Sequence, residues 1–296
     1  MTIKADLHMH GPIGFEPYWL RVQGYAEKNL LQLIADQCFK RDIGICAVTS
    51  QSDQVDETGV ILRGTVHDRL GFLTENHLAS LPRGYDADTF GEDSIVVMRH
   101  GKRVYLVNGQ TVIVQESGKI FDHLVVGSNS VPNLRVFQDT LQYCNDNGLT
   151  HGLEHPDVEE HFGAGLGRAE QLVEKCDFVE AHNAQLRWSR AFSKFPVIGP
   201  YTRAFNAKAE RFAKQHDKPI VANSDAHRIQ SAGIASNEFE KDDLDFSSED
   251  NLFRTMRRTI LSGNFKINRS YESRLGWISW VGKFKAGIKG EKYKTQ

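Results

Sequence analysis

Two short runs carry the residue types of a metal site. Asp6-Leu7-His8-Met9-His10 closes the first apolar segment of the chain. On a strand, residues i and i+2 face the same way, so His8 and His10 point two imidazoles into one place while Leu7 and Met9 pack behind. Asn223-Ser224-Asp225-Ala226-His227-Arg228 follows the apolar stretch Pro219 to Ala222 and repeats the spacing, so Asp225 and His227 share a face at another strand end. Imidazole and carboxylate together suit a divalent transition ion. The plain alternative is two pairs of hydrogen-bonded core side chains, and the mirrored position and spacing argue against coincidence.

Between these runs lie weaker signals: Asp122-His123-Leu124, Glu154-His155-Pro156, and Val179-Glu180-Ala181-His182-Asn183. Taken singly, a buried histidine is more often hydrogen-bonded core than ligand, and Glu180 is equally able to pair with a lysine. Taken with the H-x-H and D-x-H pairs they form a candidate set. His67, His77, His100, His151, His161, His182 and His216 read as structural or surface residues.

Strands that end together must position such a set. A strand at Ile3 to Leu7, the apolar positions Leu30, Leu33, Ile34 and Cys38 at helical spacing, and a strand at Ile43 to Thr49 make a β-α-β beginning. Val104 to Val107, Thr111 to Val114 and Leu124 to Gly127 read as three further strands. Leu134, Phe137, Leu141 and Cys144 mark a helix, Asp177 to Glu180 a strand, and Phe205, Ala209, Phe212 and Ala213 another helix before the strand Ile220 to Ala222. A last helix over Glu249 to Leu261 buries Leu252, Phe253, Met256 and Ile260. Ser247 and Asp250 are spaced as its capping box, and Gly263 stops it. Alternating strands and helices argue for an α/β fold with a mainly parallel sheet, of barrel length; an open doubly wound sheet is the alternative. The domain reading is a barrel over 1–270 with an insert at about 57–103, rich in Leu70, Phe72, Leu73, Leu78 and Leu81, that packs as a lid or flap. A basic tail over 271–296 follows, with five lysines in Val281 to Gln296.

Composition narrows the function classes. The chain has 296 residues, 40% of them apolar, so it can bury a sizeable core. Lys plus Arg is 36 against 38 Asp plus Glu, a net charge of −2, which supplies no field for a polyanion. No apolar run approaches the ~20 residues that span a bilayer, and the start lacks a signal-peptide core, so the expectation is a cytoplasmic protein with no membrane partner. Cys38, Cys46, Cys144 and Cys176 form no C-x-x-C pair and read as reduced packing residues.

The motifs together resemble the PHP family of polymerase-associated and histidinol-phosphatase domains. D-L-H-x-H, a glycine-led strand pair, H-P, V-E-x-x-N and S-D-A-H-R followed by Gly233 appear in the family's order from Asp6 to Gly233, about three quarters of the chain. The resemblance implies a distorted (β/α)7 barrel whose strand ends hold divalent metals, usually for phosphoester hydrolysis. It makes His8, His10 and Asp225 ligands of one metal, His123 and His155 ligands of a second, and His227 a ligand of a third. The chain departs from the pattern at three positions. Thr49-Ser50-Gln51 replaces T-D-H, so an imidazole becomes Gln51; Gly109-Gln110-Thr111 puts Thr111 where a bridging glutamate belongs; and Phe15, beside Glu16, takes the place of a further ligand. Glu116 is five residues beyond Thr111, on the other face of a regular strand. The departures weaken the third site most and reduce the expectation to one or two divalent ions, Zn, Mn or Fe.

The leading function is a metal-dependent phosphoesterase in which a metal-bound hydroxide attacks phosphorus, Asp225 or His227 holds or relays the proton, and Arg228 neutralises developing charge. Its substrate is a phosphorylated small molecule or nucleotide, with a nucleic-acid end as the alternative. A second reading, favoured by Gln51, Thr111 and Phe15, is a catalytically degenerate binding or regulatory module. A third is an amidohydrolase-like metal hydrolase, which also opens on H-x-H but ends in a lone aspartate. No G-x-S-x-G elbow supports a serine hydrolase. The sequence is silent on oligomeric state.

Overall fold

The computed structural model describes residues 1–11, 24–51, 54–55, 61–62, 66, 68–159, 163–187, 205–273 and 275–276. The readings at Phe15, Glu16, His67, His161 and 277–296, and at positions 57–60 and 63–65 of the insert, lie outside the described residues.

The elements in chain order are β1 (Thr2–Met9), α1 (Leu30–Arg41), β2 (Ile43–Ser50), the short pair β3 (Gln54–Val55) and β4 (Ile61–Leu62), α2 (Arg69–His77), β5 (Asp86–Thr89), β6 (Ile95–Arg99), β7 (Lys102–Glu116), β8 (Lys119–Val126), α3 (Phe137–Asp146), β9 (Thr150–Leu153), α4 (Leu166–Leu172), β10 (Phe178–Asn183), α5 (Phe205–Gln215), β11 (Ile220–Asn223), β12 (Ser236–Glu240), α6 (Glu249–Ser262) and β13 (Phe265–Asn268). The main sheet runs β11-β10-β9-β8-β7-β2-β1-β12-β13, with β6 and then β5 added beside β7. It curls into a nearly closed barrel.

Local chemistry accounts for the element ends. Asn29 accepts from Gln32 N (2.8 Å) to start α1, which buries Leu30, Ile34 and Cys38 on one face and ends where Asp42 turns left-handed. The cap of α6 falls on Ser248, one residue later than the spacing predicts, because its hydroxyl reaches Asn251 N (3.2 Å). Gly263, at φ 67°, closes that helix as expected.

The sheet is mixed rather than mainly parallel, because a hairpin turn after β7 reverses β8 and because β5, β6, β12 and β13 add antiparallel pairs. Val104 to Val107 and Thr111 to Val114, read as two strands, belong to one strand, β7; Gly109 lies within it, where a Cβ would sit 3.3 Å from Val125 O. Ser117 and Gly118, at φ 50° and 73°, then form a two-residue hairpin turn that sends β8 back antiparallel, with Glu116 opposite Lys119. The polar β12 and the half-exposed β13, which no apolar run announces, pair antiparallel beside β1.

Side chains close the seam between β1 and β11. The Asn237 amide from β12 accepts from Ala222 N (2.9 Å) and donates to Ala222 O (3.1 Å), standing in for a neighbouring strand. Asn223 Oδ1 accepts from Leu7 N (3.1 Å), and Asp225 N donates to His8 O (2.8 Å). The ends of the first and last parallel strands are therefore tied directly together.

Ala5, Leu7, Ile45, Ala47, Leu124, Phe178 and Phe239 fill the barrel interior, and α6 contributes Leu252, Met256 and Ile260 to the same cluster. Because Arg257 of α6 grips Asp177 just before β10 (2.9 and 3.1 Å), this helix closes the end opposite the His8 and Asp225 strand ends. Separate apolar layers join the sheet to α1 and α2 and to α3, α4 and α5. In the insert, Leu70 and Leu73 of α2 pack with Leu30 and Ile34, and β6 pairs with β7. Tyr271 packs edge-on against His182 at 4.8 Å, and Glu272 is buried. All four cysteines are buried and free. Among the described residues no helix is long and apolar enough to cross a membrane.

Candidate metal centre

An irregularity in β1 aims both histidines inward. The register against β2 shifts between Asp6 and Met9, so Leu7 joins the interior cluster while Met9 joins the outer one, instead of both packing behind. His8 and His10 both enter the site beyond that shift. A second shift, between Glu180 and His182 of β10, lets Glu180 and Asn183 converge on the site although three positions separate them. His182 instead turns away, to Ser270 O at 2.8 Å.

His8 Nδ1 lies 2.8 Å from Glu180 Oε1, and His10 Nδ1 lies 3.3 Å from the carbonyl of Thr49. Both partners are acceptors, so both rings carry their proton on Nδ1 and turn Nε2 into the cavity. The two Nε2 atoms are 2.9 Å apart. Two lone pairs at that distance repel unless a cation, proton or metal, lies between them.

β11 ends at Asn223, so the D-x-H run lies just past the strand, with Asp225 in the left-handed region at φ 46°. Its Oδ1 is 3.2 Å from His10 Nε2 and 3.6 Å from both His8 Nε2 and His227 Nε2. Its Oδ2 accepts from Asn183 Nδ2 (3.0 Å). His227 stacks on His10 with centroids 4.6 Å apart. After β9, Glu154 Oε1 is 3.1 Å from His155 Nε2 and 3.5 Å from His8 Nε2, and His155 holds φ 23°. Two non-glycine residues in this region are a strain that the surrounding bonds must sustain, a pattern concentrated at functional sites. Asp122, on β8, completes a group with Glu154 and His155.

The electrostatics follow from burial opposed by neighbouring charge. Burial pulls the His8 imidazole down, but Glu154, Glu180 and Asp225 together raise it well above its ordinary range. His10 is held well below it by burial and by His227. Burial works to raise Asp225, yet His8 and His227 hold it well below the carboxylate range. His155 is carried up to about 9, because Glu154 outweighs burial. Asp122 rises well above its usual value through burial and the Glu154 charge.

These residues fit a divalent ion. Asp225 Oδ1, Glu154 Oε2 and His155 Nδ1 are buried without a hydrogen-bond partner, and the donor set mixes imidazole with carboxylate. Ligand atoms of His8, His10 and Glu154, of His10, Asp225 and His227, and of Asp122, Glu154 and His155 form three groups, each within 4.8 Å.

Of the residues singled out from sequence, the structure thus brings together His8, His10, His155, Asp225 and His227. His123 it does not: on β8 it faces the helix layer, with Nε2 3.0 Å from His151 Nδ1 and its ring edge-on to Phe137. Neighbouring residues of a strand point oppositely, so Asp122 is the one that reaches the site. Arg228 places Nη1 3.8 Å from Glu272 Oε2. Thr111 faces the interior opposite Leu124, its hydroxyl buried without a hydrogen-bond partner, and Gln51 lies half-buried just past β2.

Three contributors carried little signal. Glu154 and Asp122 each stand beside a histidine that drew attention to itself. Arg69 lies in the insert, yet its buried guanidinium donates from one nitrogen to His10 O (2.8 Å) and Thr49 O (3.1 Å), binding the ends of β1 and β2. Asp6 serves a similar end by accepting from Ser224 N (3.0 Å) and Gly233 N (2.8 Å).

A family model described as PHP-associated matches residues 203–259, which include β11, the D-x-H run and most of α6. No curated protein matches the chain. Among solved structures, PsfC from Pseudomonas syringae is similar at 12% identity and a TM-score of 0.54, over 97% of this chain and 98% of that one. A two-domain protein from Bacteroides vulgatus, containing a predicted PHP-like metal-dependent phosphoesterase, is similar at 10% identity and a TM-score of 0.50, over 91% of this chain and 65% of that one. The lesion-specific endonuclease PfuEndoQ from Pyrococcus furiosus is similar at 15% identity and a TM-score of 0.45, over 90% of this chain; the match spans 58% of the endonuclease's length. The PHP-associated model thus covers the segment that carries the D-x-H run, and the solved structures show that the chain shares its fold with a protein containing a predicted PHP-like metal-dependent phosphoesterase.

Proposed function

We propose that this chain is a metal-dependent phosphoesterase acting on a phosphorylated small molecule or nucleotide. One observation carries the reading: His8 and His10 hold their Nε2 atoms 2.9 Å apart, with Asp225 and Glu154 beside them, in a buried knot whose donor set suits a divalent ion. His8, His10, Glu154, His155, Asp225 and Asp122 would hold one or two divalent ions. Bound there, such an ion lowers the pKa of water and polarises a phosphoryl oxygen.

The chain's own groups supply the rest. Glu180 keeps His8 in the tautomer that offers Nε2, and Thr49 O does so for His10. His227, with its side chain 23% exposed, stands where a proton can pass between solvent and Asp225. Arg228 follows it in sequence and is assigned to the phosphoryl oxygens, with Glu272 holding the guanidinium in place. The net charge of −2 favours a small substrate over a polynucleotide.

The test is phosphate release from phosphomonoesters, phosphodiesters, nucleotides and oligonucleotide ends by protein loaded with Zn, Mn or Fe, beside His8→Ala and Asp225→Ala. Turnover that disappears with metal in both variants is expected. Bound metal with no release from any phosphoester would overturn the reading in favour of a binding module, and cleavage of amides or lactones alone would favour an amidohydrolase-like activity.

A further inference from the structure

Glu154 belongs to two of the three ligand groups, one with His8 and His10 and the other with Asp122 and His155. The two groups approach it from different strands: β1 supplies the first, and β8 with the end of β9 supplies the second. Glu154 is 2% exposed, and its Oε1 lies between His155 Nε2 (3.1 Å) and His8 Nε2 (3.5 Å). Its second oxygen, Oε2, is buried with no hydrogen-bond partner. A carboxylate has two oxygens with lone pairs to share, and a buried oxygen left unpaired costs on the order of 1–3 kcal/mol unless something else binds it.

Of the neighbouring carboxylates, Glu180 is committed at both oxygens and Asp225 at one. Glu180 accepts from His8, Asn223 Nδ2 (2.9 Å) and Asn183 Nδ2 (3.2 Å), so both of its oxygens are occupied. Asp225 gives Oδ2 to Asn183 and has Oδ1 left. On β7, the inward-facing Thr111, opposite Leu124, carries no charge.

From this we infer that Glu154 is the bridging carboxylate of a dinuclear centre, with one ion on the His8 and His10 side and the other on the Asp122 and His155 side. The inference rests on the metal-binding part of the proposed function and is independent of whether phosphoesters are cleaved. It explains why a chain with threonine at position 111 keeps two sets of ligands close together: the shared charge comes from the end of β9.

Metal-free protein titrated with Mn2+ alone tests this by stoichiometry and by electron paramagnetic resonance, neither of which requires turnover. Wild type should bind two ions per chain and show the broadened signal of an exchange-coupled pair. Glu154→Gln, nearly isosteric, should bind about one ion fewer and show only the hyperfine pattern of isolated Mn2+, while circular dichroism confirms that it folds. Thr111→Val should retain both ions and the coupling. A coupled pair surviving in folded Glu154→Gln, loss of coupling in Thr111→Val, or wild type binding only isolated ions would each overturn the bridge while leaving a metal site standing. Absence of any Mn2+ binding by wild type would overturn the bridge and the metal centre together. Metal bound and coupled as expected, with no phosphate released from any ester, would sustain the bridge and reject the phosphoesterase.

Discussion

Glu180 Oε1 stands 2.8 Å from His8 Nδ1, and this contact decides which nitrogen of His8 faces the site. The carboxylate lies on β10, 172 residues away in sequence, and its other bonds to Asn183 and Asn223 hold it in place. It is a positioning residue.

Glu180→Gln should therefore weaken metal binding by roughly 10- to 100-fold, the usual cost of losing an outer carboxylate behind a ligating histidine. Calorimetric titration of the metal-free variant measures it. An affinity equal to wild type would show that the tautomer is set elsewhere.

Metal removal should destabilise the folded chain, because the ion binds a site that the unfolded chain lacks. At a free metal concentration of about 100 times Kd the linkage is worth about 2.7 kcal/mol. Chelator should lower Tm accordingly, and restoring the ion should raise it. His8→Ala should show a smaller difference in Tm with and without chelator than wild type.

His123 and His155 separate the two faces of the site. His155→Gln should reduce bound metal, since His155 shares a ligand group with Glu154 and Asp122. His123→Gln should leave the metal complement unchanged, since its partner is His151. Elemental analysis of the two purified variants decides the matter, and the reverse result would place His123 in the centre.

His151 should make the protein acid-sensitive. Burial lowers its pKa from 6.5 to about 4. Above 6.5 the ring is neutral in folded and unfolded chains alike, and its contribution is complete. As pH falls toward 4, the unfolded chain takes up the proton and the folded one resists, so stability is lost by on the order of 3 kcal/mol across that window. Urea unfolding at several pH values should give a flatter profile for His151→Gln than for wild type, and parallel profiles would contradict the assignment.

Arg69→Met should destabilise the chain by about 2–4 kcal/mol, because it leaves His10 O and Thr49 O without their charged donor. It should also weaken metal binding, since the Thr49 carbonyl orients His10. Equal metal affinity in folded Arg69→Met would confine the residue to a purely structural role.

Much of this could be read from the chain directly, and the reasons are local. The H-x-H and D-x-H spacings, the helical stripes of α1, α5 and α6, and the stop at Gly263 are short-range patterns that the backbone geometry itself imposes. Together with motif order they were enough to indicate the α/β barrel and a site at its strand ends.

The tertiary structure decided what depends on partners distant in sequence. Alternation alone put Leu7 and Met9 on one face, whereas pairing with β2 introduced the shift that separates them. Motif matching chose His123 as the ligand on β8, whereas the register of β8 against β7 and β9 turns Asp122 inward. Arg69 had no motif to announce it, because its role exists only where the ends of β1 and β2 meet. Glu154 became a candidate bridge only when the barrel brought the ends of β1, β8 and β9 to one site: sequence determines which donors are present, but an ion senses only the space they share.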